Sequence, residues 1–254
     1  MPRFGNDDDM NTSNIGGTNF KFSAKKIEQL DASEYTLVTV AVDKSGSLHG
    51  YGDELDKLLG YVVEACRNPK NPHCDNMMLR VVLFDGNVQE LHGFRPVRDL
   101  NPGDYNGACD PGGVTAAFDA IYSSVLAGNK YAKDLSDQHF TVNGALFVIT
   151  DGIDICSSAT PKMIKEALEA GVHDESIEST MTVLIGIGTG STEDIANVSS
   201  ELDKMHKEAG FQQYVYAGKC DPVTLAKVAE FIKQSASSQS QARGTGGPSQ
   251  SLAI

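Results

Sequence analysis

Thr36-Leu37-Val38-Thr39-Val40-Ala41-Val42 runs directly into Asp43-Lys44-Ser45-Gly46-Ser47, and the reading of this junction decides the fold. A mostly apolar, largely β-branched run suits a parallel strand covered on both faces, since a strand with one wet face would alternate polar and apolar residues. The run ends at a carboxylate followed by small hydroxylated residues. The same grammar returns further on, where Ala145-Leu146-Phe147-Val148-Ile149-Thr150 ends at Asp151. Two buried strands that each stop at an aspartate place polar chemistry at strand ends, where open α/β sheets bind their ligands.

Working outward, Leu55, Leu58, Leu59, Val62, Val63 and Cys66 recur at helical spacing and predict a helix with one apolar face. Residues 78–84 and 88–94 read as two strands joined across Asp85-Gly86-Asn87, a hairpin and hence an antiparallel edge. A helix over 116–126, a helix opened by Thr160-Pro161, a strand over 181–187, a helix over 192–209, a strand over 213–216 and a helix capped by Asp221-Pro222 complete the alternation. The pattern predicts an α/β fold: a doubly wound, mostly parallel six-stranded sheet with one antiparallel edge strand, Rossmann-like. Residues 1–18 lack apolar periodicity and read as a disordered tail. Residues 19–234 form the domain, and 235–254 are a low-complexity Ser/Gln/Gly tail.

Composition narrows the function. With 21 basic and 34 acidic residues, a net charge of −13, the chain has no global attraction for nucleic acid or anionic lipid. No apolar run reaches the roughly 18 residues of a membrane span, and the acidic start differs from the basic, then apolar, pattern of an export signal. Five cysteines, an odd number with no C-x-x-C pair, imply neither a disulfide framework nor a zinc knuckle. A reducing, cytoplasmic setting is expected.

Asp43, Ser45 and Ser47, then Thr115 after Gly112-Gly113-Val114, then Asp151 supply two carboxylates and three hydroxyls. Such an all-oxygen set selects a hard divalent cation, Mg²⁺ first, with Mn²⁺ or Ca²⁺ as alternatives. Mg²⁺ takes six oxygens and keeps water readily, which leaves room for an outside ligand. The spacing D-x-S-x-S, the loop threonine and the later strand-end aspartate resemble the von Willebrand factor type A domain and its metal-ion-dependent adhesion site. The resemblance covers about residues 35–233. It implies that Ser45, Ser47 and Thr115 contact the metal, that Asp43 and Asp151 act directly or through water, and that a partner's Asp or Glu completes the octahedron. It also implies an intracellular member, with an ATPase complex subunit as one such partner.

Other features are weaker. Asp154 reads as a solvated loop charge rather than a ligand. Gly186-Ile187-Gly188-Thr189-Gly190-Ser191 lacks the third glycine of a dinucleotide loop and reads as a tight turn. Thr115 can also serve as an ordinary helix N-cap. The leading function is a metal-dependent protein-interaction module, an adaptor or assembly subunit without chemistry of its own. One alternative makes Asp43 a phosphoryl-accepting nucleophile beside Mg²⁺, as in haloacid-dehalogenase-like phosphatases, but Ser45 stands where that chemistry needs a second carboxylic acid. A further alternative is a structural subunit of a larger assembly.

Overall fold

The apolar run at 36–42 forms the middle of strand β3 (Glu34–Asp43), in which every residue after Glu34 is buried. A computed structural model describes residues 4, 7–67, 74–174 and 176–241. Before β3 come β1 (Met10–Asn14) and β2 (Lys21–Lys25). After it follow α1 (Gly52–Cys66), β4 (Met77–Phe84), β5 (Val88–Pro96), α2 (Ala117–Ser136), β6 (Thr141–Thr150) and α3 (Pro161–His173). The chain continues with β7 (Thr180–Gly188), α4 (Thr192–Ala209), β8 (Gln213–Lys219) and α5 (Pro222–Gln241).

The strands make one eight-stranded sheet in the order β1-β2-β5-β4-β3-β6-β7-β8. From β4 through β3, β6 and β7 to β8 all pairings are parallel, and β4 and β5 form the expected antiparallel hairpin. Both faces are covered. Val38, Val40 and Val42 of β3 pack with the α1 stripe (Leu55, Leu58, Leu59, Val62, Val63, Cys66) and with Leu225, Val228 and Ile232 of α5. Ala41 faces the other layer, where Ile121 of α2, Ile164 of α3 and Leu202 of α4 meet β6 and β7. Each α1 stripe residue is at most 1% exposed, and burying such a side chain contributes roughly 1.5–3 kcal/mol as an upper figure.

The doubly wound class holds, with three corrections. The sheet has eight strands rather than six. The hairpin strand β5 is interior, because β2 pairs parallel to it and β1 pairs antiparallel to β2. Strand β1 therefore lies inside the segment 1–18 expected to be a disordered tail. Phe22 and Ala24 are the buried positions of β2, and Phe22 meets Phe94 edge-on at 6.5 Å. Gly93 permits the approach, since a Cβ there would fall 1.8 Å from the Ser23 carbonyl oxygen. A buried ion pair fastens the same edge: Arg80, 1% exposed, donates to Glu90 Oε2 at 2.7 Å. Glu90 Oε1 accepts the Ser23 N–H at 2.8 Å and its hydroxyl at 2.7 Å.

Two helices run longer than expected. Helix α2 continues past 126 because Ala127, Tyr131, Ala132 and Leu135 extend its buried stripe. Helix α5 crosses the boundary drawn between 234 and 235, carrying the buried Ser235 and Ala236. The rest of the C-terminal stretch, 242–254, lies outside the described residues.

Strand order reverses between β3 and β6: β3 is followed by β4 on one side, and β6, on the other side, is followed by β7. A crevice outside the carboxyl ends of β3 and β6 follows from that topology.

Candidate metal centre

Register brings the two strand ends together. Val42 pairs with Ile149, so the next residues, Asp43 and Thr150, lie side by side. The Thr150 hydroxyl donates to Asp43 Oδ2 at 2.5 Å, and the Ser45 N–H donates to Oδ1 at 2.7 Å. One loop turn further, Ser45 Oγ lies 3.2 Å from Ser47 Oγ, and Ser47 Oγ donates to Asp151 Oδ1 at 2.8 Å. The other Asp151 oxygen accepts the Thr189 hydroxyl. Asp43, Ser45, Ser47 and Asp151 thus join into one hydrogen-bonded group from residues far apart in sequence.

Thr115 is delivered by the glycine loop. The Gly112 N–H donates to the Lys44 carbonyl at 2.8 Å, and the Gly46 N–H donates to the Gly113 carbonyl at 3.0 Å. Gly113 turns the chain at φ +78°, a conformation costly for any residue with a Cβ. Thr115 is 4% exposed, and its Oγ1 lies 3.9 Å from the position a Cβ on Gly152 would take. That hydroxyl has no hydrogen-bond partner among the described residues.

Thr115 is not the helix cap that its position suggested. Ala116 occupies the cap of α2 and makes no side-chain cap bond, so the first turn is capped from the loop after β6 instead. Asp154 Oδ1 accepts the Phe118 N–H at 3.0 Å, and Ser157 Oγ accepts the Asp119 N–H at 2.9 Å. In return Asp119 Oδ1 accepts the N–H groups of Ser158 at 3.1 Å and Ala159 at 2.7 Å. Asp154 is therefore a structural clasp rather than a solvated charge. Beside the loop, Lys44 pairs with Asp85, and this partner, with the Asn87 N–H, holds the Asp85 carboxyl below its usual value against the opposing effect of burial.

Burial dominates the electrostatics of Asp43, which is 0% exposed. Desolvation pushes its carboxyl up to about 6, the bonds from Thr150 and Ser45 pull it back, and the Asp151 charge adds to the rise. Two carboxylates in so dry a crevice call for a positive charge. Among the described residues no group of three or more His, Cys, Asp and Glu is placed to hold a metal ion, so any cation must rest on a mixed set of carboxylates and hydroxyls. The Cys156 sulfur, 3.6 Å from the Thr115 carbonyl, is a poor soft ligand. Desolvation first, then the nearby carboxylates of Asp154, Asp119 and Asp85, raise its thiol above the ordinary range and keep it protonated.

Sequence reasoning passed over two residues. Thr150 was read only as the end of a strand, yet it fixes the orientation of Asp43. Thr189 was absorbed into a glycine-rich turn, although a hydroxyl at the carboxyl end of β7, the strand beside β6, was the available signal.

No protein-family model matches the sequence, and no curated protein does. Among solved structures the chain is similar to the PilB minor pilin from Streptococcus sanguinis, with a TM-score of 0.56 at 15% identity over 89% of this chain and 66% of that one. It is similar also to the pilus adhesin SpaC from Lactobacillus rhamnosus GG in its open conformation (TM-score 0.56, 12% identity, 84% and 31% of the two chains). Proximal thread matrix protein 1 from the mussel byssus matches at a TM-score of 0.51 and 18% identity, over 82% and 47% of the two chains. This chain spans less than two thirds of each of these structures. At such identities the likeness is one of fold alone, a mostly parallel sheet covered by helices on both faces.

Proposed function

We propose that the chain is a metal-dependent protein-interaction module of the von Willebrand factor type A kind. In this reading Asp43, Ser45, Ser47, Thr115 and Asp151 hold one divalent cation, and a partner's Asp or Glu completes its coordination. The observation that carries the reading is the hydrogen-bonded convergence of two carboxylates and two hydroxyls, Asp43, Ser45, Ser47 and Asp151, at the strand-order reversal, with the glycine loop that bears Thr115 bonded to the Asp43 loop. The donor set fits a hard cation because it is all oxygen and the Thr115 hydroxyl is uncommitted. Mg²⁺ is the ion proposed, with Mn²⁺ or Ca²⁺ as substitutes. When bound, the ion supplies an electrophilic centre for an outside carboxylate. The chain's own part is to orient: Thr150 fixes Asp43, Thr189 fixes Asp151, and the glycine loop fixes Thr115.

Both oxygens of Asp43 already accept hydrogen bonds, which supports a positioned ligand rather than a free nucleophile, and so a module without chemistry of its own. The structurally similar proteins are a minor pilin, a pilus adhesin and a thread matrix protein, names that support an assembly or adhesion role. An ATPase complex subunit as partner belongs to the same proposal. Cytoplasmic placement is proposed from Cys66, Cys109, Cys156 and Cys220, all free thiols. No helix among the described residues is long and apolar enough to cross a membrane.

Calorimetry tests the reading. Titration of the chain with Mg²⁺ and Mn²⁺ should give one site that vanishes in Asp43→Ala, while circular dichroism shows the fold retained. Full affinity in that variant would reject the assignment.

A further inference from the structure

We propose that the rim of this centre is built for a partner segment that carries a single acidic side chain between apolar neighbours. The inference rests on the metal-binding reading above and specifies its partner. Among the described residues six large hydrophobic side chains are exposed. Three of them, Val114 at 48%, Ile153 at 43% and Ile155 at 66%, sit on the two loops that carry Thr115 and Asp151.

Their loops are joined as well. The Ile155 N–H donates to the Thr115 carbonyl at 2.8 Å, which ties the loop bearing Ile153 and Ile155 to the loop bearing Val114. The loop after β6 is inverted relative to an ordinary surface loop. Its polar residues, Asp154 and Ser157, turn inward to cap α2, while Ile153 and Ile155 face solvent. The clasp pins that orientation, so the apolar side chains cannot turn under to hide. Exposed apolar side chains grouped around a polar centre mark a contact surface.

Charge fixes the rest of the occupant. The chain carries a net −13, and Lys44, the cation next to Asp43, is neutralised by Asp85. A segment with several carboxylates would be repelled everywhere except at the metal. One carboxylate, with apolar side chains on either side to cover Val114, Ile153 and Ile155, suits both features.

The probes are synthetic nine-residue peptides with a central Glu flanked by Leu, by Ser or by Asp, and the Leu-flanked peptide with central Gln. Binding to the whole chain is read by fluorescence anisotropy in saturating Mn²⁺ and in chelator, with calorimetry of the metal alone alongside. The Leu-flanked Glu peptide should bind about tenfold more tightly than the Ser-flanked one, from partial burial of two or three side chains, and the Asp-flanked and Gln peptides should bind weakest. The triple variant Val114→Ser, Ile153→Ser, Ile155→Ser, and Ile155→Ser alone, should erase or reduce the Leu preference without changing metal affinity. Equal binding of Leu- and Ser-flanked peptides, a preference that survives in the triple variant, or no peptide binding to metal-loaded chain overturns the inference and leaves the metal site standing. Absence of metal binding in the unmodified chain overturns the metal reading itself, and this inference with it.

Discussion

Replacing Asp43 by asparagine should stabilise the metal-free protein and at the same time abolish its response to metal. Asparagine fits the geometry: its carbonyl can accept the Ser45 N–H, and its amide can donate to Thr150 Oγ1, whose own hydroxyl then turns to the Gly152 carbonyl 3.0 Å away. What changes is the charge. Burial lifts the Asp43 carboxyl from 3.8 to about 6, so the folded protein holds this proton to higher pH than the unfolded chain does. The contribution of Asp43 to stability therefore falls as pH rises from about 4 to 6, and above that range the ionised carboxylate costs about 3 kcal/mol, at about 1.4 kcal/mol per pH unit. Urea unfolding in chelator should find the variant more stable by about 2–3 kcal/mol at pH 7.5, with the difference gone near pH 3.5. Added Mg²⁺ at a hundred times its dissociation constant should stabilise the unmodified protein by about 2.7 kcal/mol and the variant by nothing. A variant no more stable than the parent at pH 7.5 in chelator would refute the argument that desolvation dominates this carboxylate.

Two further outcomes test the surroundings. Thr189→Val removes the hydroxyl that orients Asp151 and should weaken Mg²⁺ binding about 10- to 100-fold with the fold intact; unchanged affinity by calorimetry would discard the positioning role. His92 is buried, with Nε2 2.7 Å from the Tyr105 hydroxyl and Nδ1 2.9 Å from the Gly93 carbonyl, and burial, then Arg95 and Arg80, depress it to about 3. The unfolded chain takes up this proton first, so the contribution of His92 to stability should fall by about 1.4 kcal/mol per pH unit as pH drops from about 6 toward 3. Urea unfolding at several pH values should show that His92→Asn has a shallower slope by that amount, and parallel slopes would disprove it.

The junction at Asp43 was legible because a parallel strand covered on both faces announces itself as a mostly apolar, largely β-branched run, and its end is a change of composition. The meeting of Asp43, Ser45, Ser47 and Asp151 was legible for the same reason, since each lies at or just after a strand end. Strands β1 and β2 were not. Met10–Asn14 is almost wholly polar because it pairs at the sheet edge, and β2 offers only Phe22 and Ala24 as an alternating signal. The second half of α2 was masked by Gly128-Asn129, a pair that usually breaks helices. Here Asn129 instead donates to the Ala167 carbonyl of α3 at 2.7 Å. Asp154 was misread because sequence gives no sign of whether a loop carboxylate faces water or a distant helix's first N–H groups.

The exchange of hydrogen bonds between the start of α2 and the loop after β6 has a consequence for how the molecule opens. Neither partner is complete alone: the helix draws its cap from Asp154 and Ser157, and the loop draws its anchor from Asp119. Fraying of the helix start and release of the loop are then a single event, a cooperative unit of local unfolding rather than two independent ones. Since Asp151 begins this loop and Thr115 immediately precedes the helix, both sides of the centre rise and fall with that one opening step.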